Sequence, residues 1–193
     1  MKRLIVGMSG ASAVIYGIRL LEVLKSLDVE SHLVISDPAR DIIGLETNYA
    51  VSRVEALATH VHSVRNLAAP ISSGSFKTDG MVVVPCSIKT LSGVANSYNE
   101  NLLVRAADVT LKQHRRLVLV VRETPLHKGH LHIMQKAADA GALIFVPVPA
   151  FYSRPQSVDD IVDHTVGRIL DLFDIEHDLL SRWPGRVGAG SQA

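Results

Sequence analysis

The segment Leu4-Ile5-Val6-Gly7-Met8-Ser9-Gly10-Ala11-Ser12-Ala13 decides how this chain is read. An apolar run enters a cluster of glycines and hydroxyls, and a helical pattern begins near Val14. Strand, small-residue turn and helix together make a phosphate cradle. The helix start leaves backbone N–H groups unpaired, and its dipole favours an anion. Gly10 lets the backbone approach a phosphate closely, and Ser12 offers a side-chain donor. A small-residue first turn also serves packing alone in many α/β proteins, so the turn by itself does not separate the two roles. The spacing is not the dinucleotide fingerprint G-x-G-x-x-G, because Gly7-x-x-Gly10 is followed by Ala13. No acidic residue stands about 20 positions on, where Val34-Ile35 ends at Ser36. A mononucleotide such as a flavin phosphate fits this turn better than NAD.

Strands and helices alternate outward from the first turn. Arg3 to Met8, Glu30 to Ile35, Val61 to Val64, Met81 to Val84, Leu117 to Val121 and Leu143 to Val146 read as strands. Val14 to Leu27, Ala39 to Leu45, Val54 to Thr59, Leu102 to His114, Leu131 to Ala140 and Ser157 to Phe173 read as helices. Continuous Val/Ile/Leu strands imply a parallel sheet covered on both faces. Right-handed crossovers then make a doubly wound, mostly parallel α/β sheet in three layers, Rossmann-like or flavodoxin-like. Ligands in such sheets bind outside the carboxyl ends of the strands. Those ends are Met8 to Ser12, Ser36, Pro85 to Thr90, Arg122-Glu123 and Pro147 to Tyr152. They hold two serine-rich turns, an arginine beside a glutamate, and a tyrosine. Pro85-Cys86-Ser87-Ile88-Lys89-Thr90 forms a second cradle before a helix.

Bulk composition narrows the classes. The 193 residues suit one domain, residues 1–184, with a Gly-rich flexible tail at 185–193. A net charge of +1 gives no electrostatic footprint for nucleic acid. The single cysteine, Cys86, excludes an internal disulfide and fits a reducing compartment. Lys2-Arg3, an apolar run and Ala11-Ser12-Ala13 imitate a signal peptide, but Gly7, Ser9 and Gly10 interrupt the apolar centre after about five residues, short of the 7–15 expected. No run reaches the roughly 18 apolar residues of a membrane span. The expectation is a cytoplasmic protein that binds neither membrane nor nucleic acid.

Several further segments complete a pattern: Leu45-Glu46-Thr47; Ser72-Ser73-Gly74-Ser75-Phe76; Pro85-Cys86-Ser87 with Thr90-Leu91; Arg105-Ala106-Ala107-Asp108-Val109 with Leu111-Lys112; Val121-Arg122-Glu123-Thr124-Pro125-Leu126; and Pro149-Ala150-Phe151-Tyr152 with Pro155. With the Gly-Ala-Ser turn, these resemble the UbiX-type flavin prenyltransferases, including the branch found beside hydroxyarylic acid decarboxylases. The resemblance spans Leu4 to Trp183. It implies an enzyme that joins the dimethylallyl group of dimethylallyl phosphate to N5 and C6 of reduced FMN, without a metal. The product, prenylated FMN, serves a partner UbiD-type aromatic acid decarboxylase. It also implies a homododecamer with sites between subunits.

Carried over by motif, Gly10, Ala11 and Ser12 hold the flavin phosphate side, and Ser36, Ser87, Ile88, Lys89, Thr90 and Arg122 complete the flavin contacts. Arg105, Lys112, Arg122, Tyr152 and Arg168 hold the dimethylallyl phosphate. Ser12, Glu46 and Glu123 handle protons, and Trp183 covers the isoprenyl group. These residue types suit the chemistry. Ionising an allyl phosphate develops negative charge on the departing phosphate, which Lys112, Arg122 and Arg168 can stabilise. Positive charge develops on carbon, which the indole face of Trp183 can stabilise. A monophosphate leaves more readily with a proton donor such as Glu123. Removal of the flavin C6 proton needs a base, for which Glu46 and the phosphate product both qualify.

Each of these residues also has a plainer reading. Glu46 suits a last helical turn, Arg122-Glu123 a surface ion pair, Tyr152 a core tyrosine, and Trp183 the packing of the tail. Cys86 more often packs than reacts. An FMN-dependent cysteine decarboxylase is a rival reading, but its Pro-Ala-Ser-Ala-Asn-like loop is replaced here by Pro85-Cys86-Ser87-Ile88-Lys89. A non-catalytic flavin-binding subunit of a decarboxylase complex is another. It would not need Lys112, Glu123 and Tyr152.

Two motifs mislead. His127-Lys128-Gly129-His130 imitates the H-x-G-H of nucleotidylyltransferases, but it lies two-thirds along the chain rather than after the first strand. His127, His130 and His132 do not share one helical face, so no metal site is expected there. Asp159-Asp160-Ile161-Val162-Asp163 imitates a magnesium-diphosphate motif, yet Ser157 and Asp160 read as a capping box. Two departures from the family pattern stand out: Gly129, His132 and Ile133 in one segment, and Ala13 where the family often has glycine.

Overall fold

Four runs rich in β-branched and aliphatic residues become the buried strands of a parallel sheet, because only burial on both faces removes that much apolar surface from water, and two shorter, more exposed strands form its edges. The computed structural model describes residues 2–180. In chain order the elements are β1 (Arg3–Met8), α1 (Ile15–Ser26), β2 (Glu30–Ile35), α2 (Asp37–Glu46), α3 (Val51–Glu55), β3 (His60–Ser63), β4 (Gly80–Cys86), α4 (Ile88–Ala95), α5 (Leu102–Lys112), β5 (Arg116–Val121), α6 (Lys128–Asp139), β6 (Ala142–Phe145) and α7 (Val158–Asp171). The sheet order is β3-β2-β1-β4-β5-β6. Every pairing is parallel, with Val6 opposite Leu33 on one side of β1 and opposite Val82 on the other.

The chain resolves into two compact units, residues 1–148 and 149–193. The first holds the whole sheet and α1 to α6. Gly17 brings α1 against β4 and β1, since a Cβ there would stand 2.5 Å from the Val84 carbonyl oxygen. The opposite face is covered by α4, α5 and α6, whose Leu91, Leu103, Ala106 and Ala137 join Ile5, Val83 and Leu119 in one buried cluster. Helices on both faces of the sheet make the three layers expected from the sequence. In the second unit α7 opens on a complete capping box. Ser157 Oγ accepts from the Asp160 N–H, and the Asp160 side chain accepts from the Ser157 N–H. Asp159 and Asp160 are thus first-turn acids that complement the helix dipole. Among the described residues no helix is long and apolar enough to cross a membrane.

The sequence reading departs from the structure in three places. Helix α3 is Val51–Glu55 rather than Val54 to Thr59, because Leu57 to Thr59 turn to start the edge strand β3 one residue early. Strand β4 continues past Pro85 to Cys86. Helix α6 begins three residues early, because His127 caps it through the Gly129 N–H. As expected, a helix, α4, follows the second cradle, with Ser87 as its cap.

Candidate active site

The strand order reverses direction at β1, where β2 and β3 lie to one side and β4 to β6 to the other. Outside the carboxyl ends of β1 and β4 the chain therefore has to leave a crevice. Its floor is tied by Ser9, which is wholly buried. The Ser9 hydroxyl donates to the Pro85 carbonyl at 3.1 Å and accepts from the Ser87 N–H at 2.8 Å. Ser87 Oγ in turn accepts from the Thr90 N–H at 3.2 Å and lies 3.2 Å from Thr90 Oγ1. On the other side Ser36 caps α2 through the Ala39 N–H at 3.3 Å. Two capped helix starts thus border the crevice; in α4 the Ile88 and Lys89 amides precede the capped Thr90, as an anion site requires, whereas in α2 Pro38 has no N–H and the Ala39 amide is taken by Ser36.

The crevice has a volume of about 960 Å³. That is near the upper end of the roughly 300–1,000 Å³ typical of small-molecule sites, and it is ample for a flavin mononucleotide. Seven of the residues expected from the sequence line it: Gly10, Ser36, Ser87, Ile88, Lys89, Thr90 and Glu123. Gly10 is required there. A Cβ at this position would stand 2.6 Å from Pro38 Cβ in the first turn of α2. Lys89 pairs with Glu100 at 3.1 Å, and the Glu123 carboxylate accepts from the Thr124 N–H at 3.1 Å. Arg122 follows β5 with its N–H on the Cys86 carbonyl at 3.1 Å and its side chain exposed.

Glu46 has an unexpected position. As the last residue of α2, it turns back to the start of α1, where Oε2 accepts from the Ala13 N–H at 2.7 Å and the Val14 N–H at 3.4 Å. A carboxylate thus occupies amides that the sequence reading left open for a phosphate, and the uncapped first-turn amides at the crevice are those of α4. Ala13 itself sits at φ +74°, the left-handed region that favours glycine. Ala11 is buried with its N–H on the Ser9 carbonyl at 2.8 Å, and Ser12 is half-buried. Neither lines the crevice.

The remaining expected residues are not among those lining this crevice. Arg105 pairs with Asp108 one turn along α5 at 3.2 Å. Lys112 ends α5, at the amino edge of the sheet and about 15 Å of helix from the crevice residue Asn101. In the second unit, the Tyr152 hydroxyl is 3.1 Å from His164 Nε2, and Arg168 pairs with Asp171 at 3.4 Å. Trp183 lies outside the described residues. Burial pushes the Cys86 thiol up to about 12, so it stays protonated and unreactive. His127 serves as a helix cap and stacks on His130 with centroids 3.6 Å apart.

Sequence reasoning missed Ser9, Asp37, Arg65, Tyr98 and Asn101. Ser9 belonged to the first motif, but its role depends on β4 lying beside β1. Asp37 and Arg65 form a 2.8 Å ion pair at the crevice. The two are 28 residues apart, so no local pattern announces them.

A doubly wound parallel sheet with a mononucleotide-sized crevice at its switch point, floored by hydroxyls and capped helix starts, defines a nucleotide-binding flavoprotein class. In agreement, residues 1–170 match the family described as Flavoprotein. The chain is 60% identical over 188 residues to the flavin prenyltransferase UbiX of Escherichia coli strain K12, covering 96% of this chain and all of that one. A crystal structure of AnUbiX (PadA1) in complex with FMN and dimethylallyl pyrophosphate superposes with a TM-score of 0.94 at 50% identity, covering 95% of this chain and 98% of that one. A dodecameric FMN-dependent UbiX-like decarboxylase from Escherichia coli O157:H7 gives a TM-score of 0.93 at 50% identity, covering 95% and 100%. The chain belongs to the UbiX flavin prenyltransferase family.

Proposed function

We propose that this protein is a flavin prenyltransferase that joins the dimethylallyl group of dimethylallyl phosphate to N5 and C6 of reduced FMN. One observation carries the reading: the crevice at the switch point is lined by six of the nine residues that family resemblance assigns to the flavin, Gly10, Ser36, Ser87, Ile88, Lys89 and Thr90, on a chain 60% identical to a flavin prenyltransferase across nearly its full length. FMN fits the crevice in size and donor set. Gly10 and Ser36 border the crevice with Ser87, Ile88, Lys89 and Thr90, and the uncapped first-turn amides of α4 offer donors to an anion there. FMN supplies the nucleophilic ring that receives the prenyl group.

The protein's own residues hold the second substrate and move protons. Glu123 lines the crevice, and Arg122 precedes it at the end of β5 with its side chain exposed. Arg122 stabilises the departing phosphate, and Glu123 supplies or relays a proton at that phosphate. Glu46 is already held by two amides of α1, which suits it to fixing the first turn with Ser12 and Ala11. Arg105 and Lys112 sit away from the crevice of their own chain, and dodecamer assembly would bring them to a neighbour's site. Tyr152, Arg168 and Trp183 complete the dimethylallyl phosphate pocket on this reading. Residues 1–184 act as one catalytic domain with residues 185–193 as its tail. The product goes to a UbiD-type decarboxylase, and the enzyme works in the cytoplasm.

The test is mass analysis of the flavin after anaerobic incubation with reduced FMN and dimethylallyl phosphate. The expected result is flavin heavier by one five-carbon prenyl unit. Recovery of unmodified FMN from protein that binds it would reject the reading.

A further inference from the structure

At the amino ends of β2 and β3, remote from the crevice, one carboxylate and three imidazoles converge. Glu30 and His32 lie on the face of β2 that carries Val34 into the core under α5. The parallel register places His60 beside His32 and His62 beside Val34. Glu30 Oε1 is 2.9 Å from His32 Nε2 and 3.7 Å from His60 Nε2. One donor atom from each of these three residues lies within 4.8 Å of the others, and this is the one such group of His, Cys, Asp or Glu among the described residues. We propose that Glu30, His32 and His60 form a binding site for a divalent transition-metal ion of the zinc class, which fastens the edge strand β3 to β2.

The donor set and spacing fit that ion. Zinc takes imidazole nitrogen and carboxylate oxygen at about 2.0–2.2 Å, which puts tetrahedral donors roughly 3.3 Å apart. The observed separations bracket this value, and movement of His60 by on the order of an ångström closes the set. His60 is 54% exposed, so its ring can swing and the ion can enter, whereas His32 at 5% is fixed. Water takes the fourth position. Two imidazoles and a single carboxylate are too few oxygens for calcium or magnesium.

The surrounding residues orient the ligands. The Arg3 guanidinium donates to Glu30 Oε1 at 2.7 Å, which holds the carboxylate in place. Arg3 is itself steadied by the Lys77 carbonyl and by the Phe76 ring, whose edge also packs on His32. His32 Nδ1 lies 2.9 Å from His62 Nε2. A carboxylate only accepts, so in the metal-free cluster His32 donates from Nε2 to Glu30 and accepts at Nδ1 from His62. On binding, His32 turns its bare Nε2 to the ion and donates from Nδ1 to His62. Each neutral ring keeps one proton and the hydrogen bond survives with its direction reversed. Ligating histidines are commonly supported in this way.

The test is a zinc titration of the chelator-treated full chain, competed against a chromophoric chelator, at a pH above the ordinary histidine value so that the rings are neutral. The expected result is one zinc ion per chain and a raised thermal midpoint. Glu30→Gln and His60→Asn should each weaken binding at least about tenfold, the lower bound for removing even a supporting residue. His60 is exposed, so its variant should fold, and an unchanged FMN titration checks this. The His127→Gln/His132→Gln double variant should bind zinc like the parent. The proposal is overturned by a parent chain that binds no zinc, by His60→Asn binding as the parent does, or by loss of binding in the double variant.

Discussion

The two ends of one sheet are built from opposite materials. At the carboxyl end the strands run out into Ser9, Gly10, Ser36 and Ser87, small residues whose hydroxyls bind backbone and whose helices present amides to an open crevice. At the amino end the strands begin with Arg3, Glu30 and His60, long side chains that pair with one another. The Arg3 hydrogen bond, opposed by burial and aided by His32, holds the Glu30 carboxyl down at about 2. Donors left facing a crevice must be satisfied by something that comes and goes, whereas donors paired within the chain stabilise the sheet. Ligand chemistry and strand anchoring thus occupy opposite edges of a single fold, and substitutions at each edge should read out differently.

The largest separation is expected from Glu123→Gln at the crevice. It keeps size and hydrogen bonding but removes proton exchange, so FMN should bind nearly as before while prenylation slows at least about a hundredfold. Stopped incubations with mass analysis check this. Turnover within threefold of the parent would move the proton chemistry to Glu46 or to the phosphate itself.

Gly10→Ala should damage both properties. The new methyl meets the rigid Pro38 ring at 2.6 Å, so the first turn of α2 has to shift. The expected cost is about 1–3 kcal/mol of stability, seen in urea unfolding, together with weaker FMN binding in a fluorescence titration. Unchanged FMN affinity would mean that this turn does not set the flavin position.

At the amino end, Glu30→Gln should lower stability by about 1–2 kcal/mol, given a partly exposed, screened pair, and leave prenylation intact. The pH dependence of chelator-treated protein follows from the same cluster. Burial lowers the His32 and His62 values, so below about 6.5 the unfolded chain takes up protons that the native chain refuses, and stability falls. Glu30 is depressed, so its contribution is present above the ordinary carboxyl value and is lost as pH falls from about 4.5 towards about 2. Denaturation midpoints should therefore drop first below neutrality and again in acid, with the second drop reduced in Glu30→Gln. A flat profile between neutrality and about pH 5 would contradict the histidine assignment.

The smallest effect is expected from Ala13→Gly. Glycine relieves the left-handed conformation at φ +74° but adds freedom to the unfolded chain, for a net gain of about 0.5–1 kcal/mol. Thermal unfolding measures it. A loss of stability would show that the Ala13 methyl packs usefully.

The candidate site was legible in the sequence where function rides on local chemistry. Ser36 and Ser87 stand out as hydroxyls at the carboxyl ends of strands, and Glu123 as a carboxyl there. Arg65, Asn101 and Ser9 were not legible as site residues, because their places depend on which strands are neighbours. Lys112 shows the converse: its motif was plain, but the structure puts it at the far end of α5 from the crevice of its own chain.

The sequence by itself determined the six strands, a parallel sheet covered by helices, the capping of α7, and the resemblance to a prenyltransferase family. These follow from residue spacing within about a dozen positions, over which periodicity and hydrogen-bond propensity act. Only the tertiary structure decided the β3-β2-β1-β4-β5-β6 order, the return of Glu46 to the start of α1 across 33 residues, and the meeting of Glu30 and His32 with His60 and His62. The physical reason is the same in each case. Such contacts are set by how apolar faces pack and cross over, and a linear pattern carries no record of which distant strand becomes a neighbour.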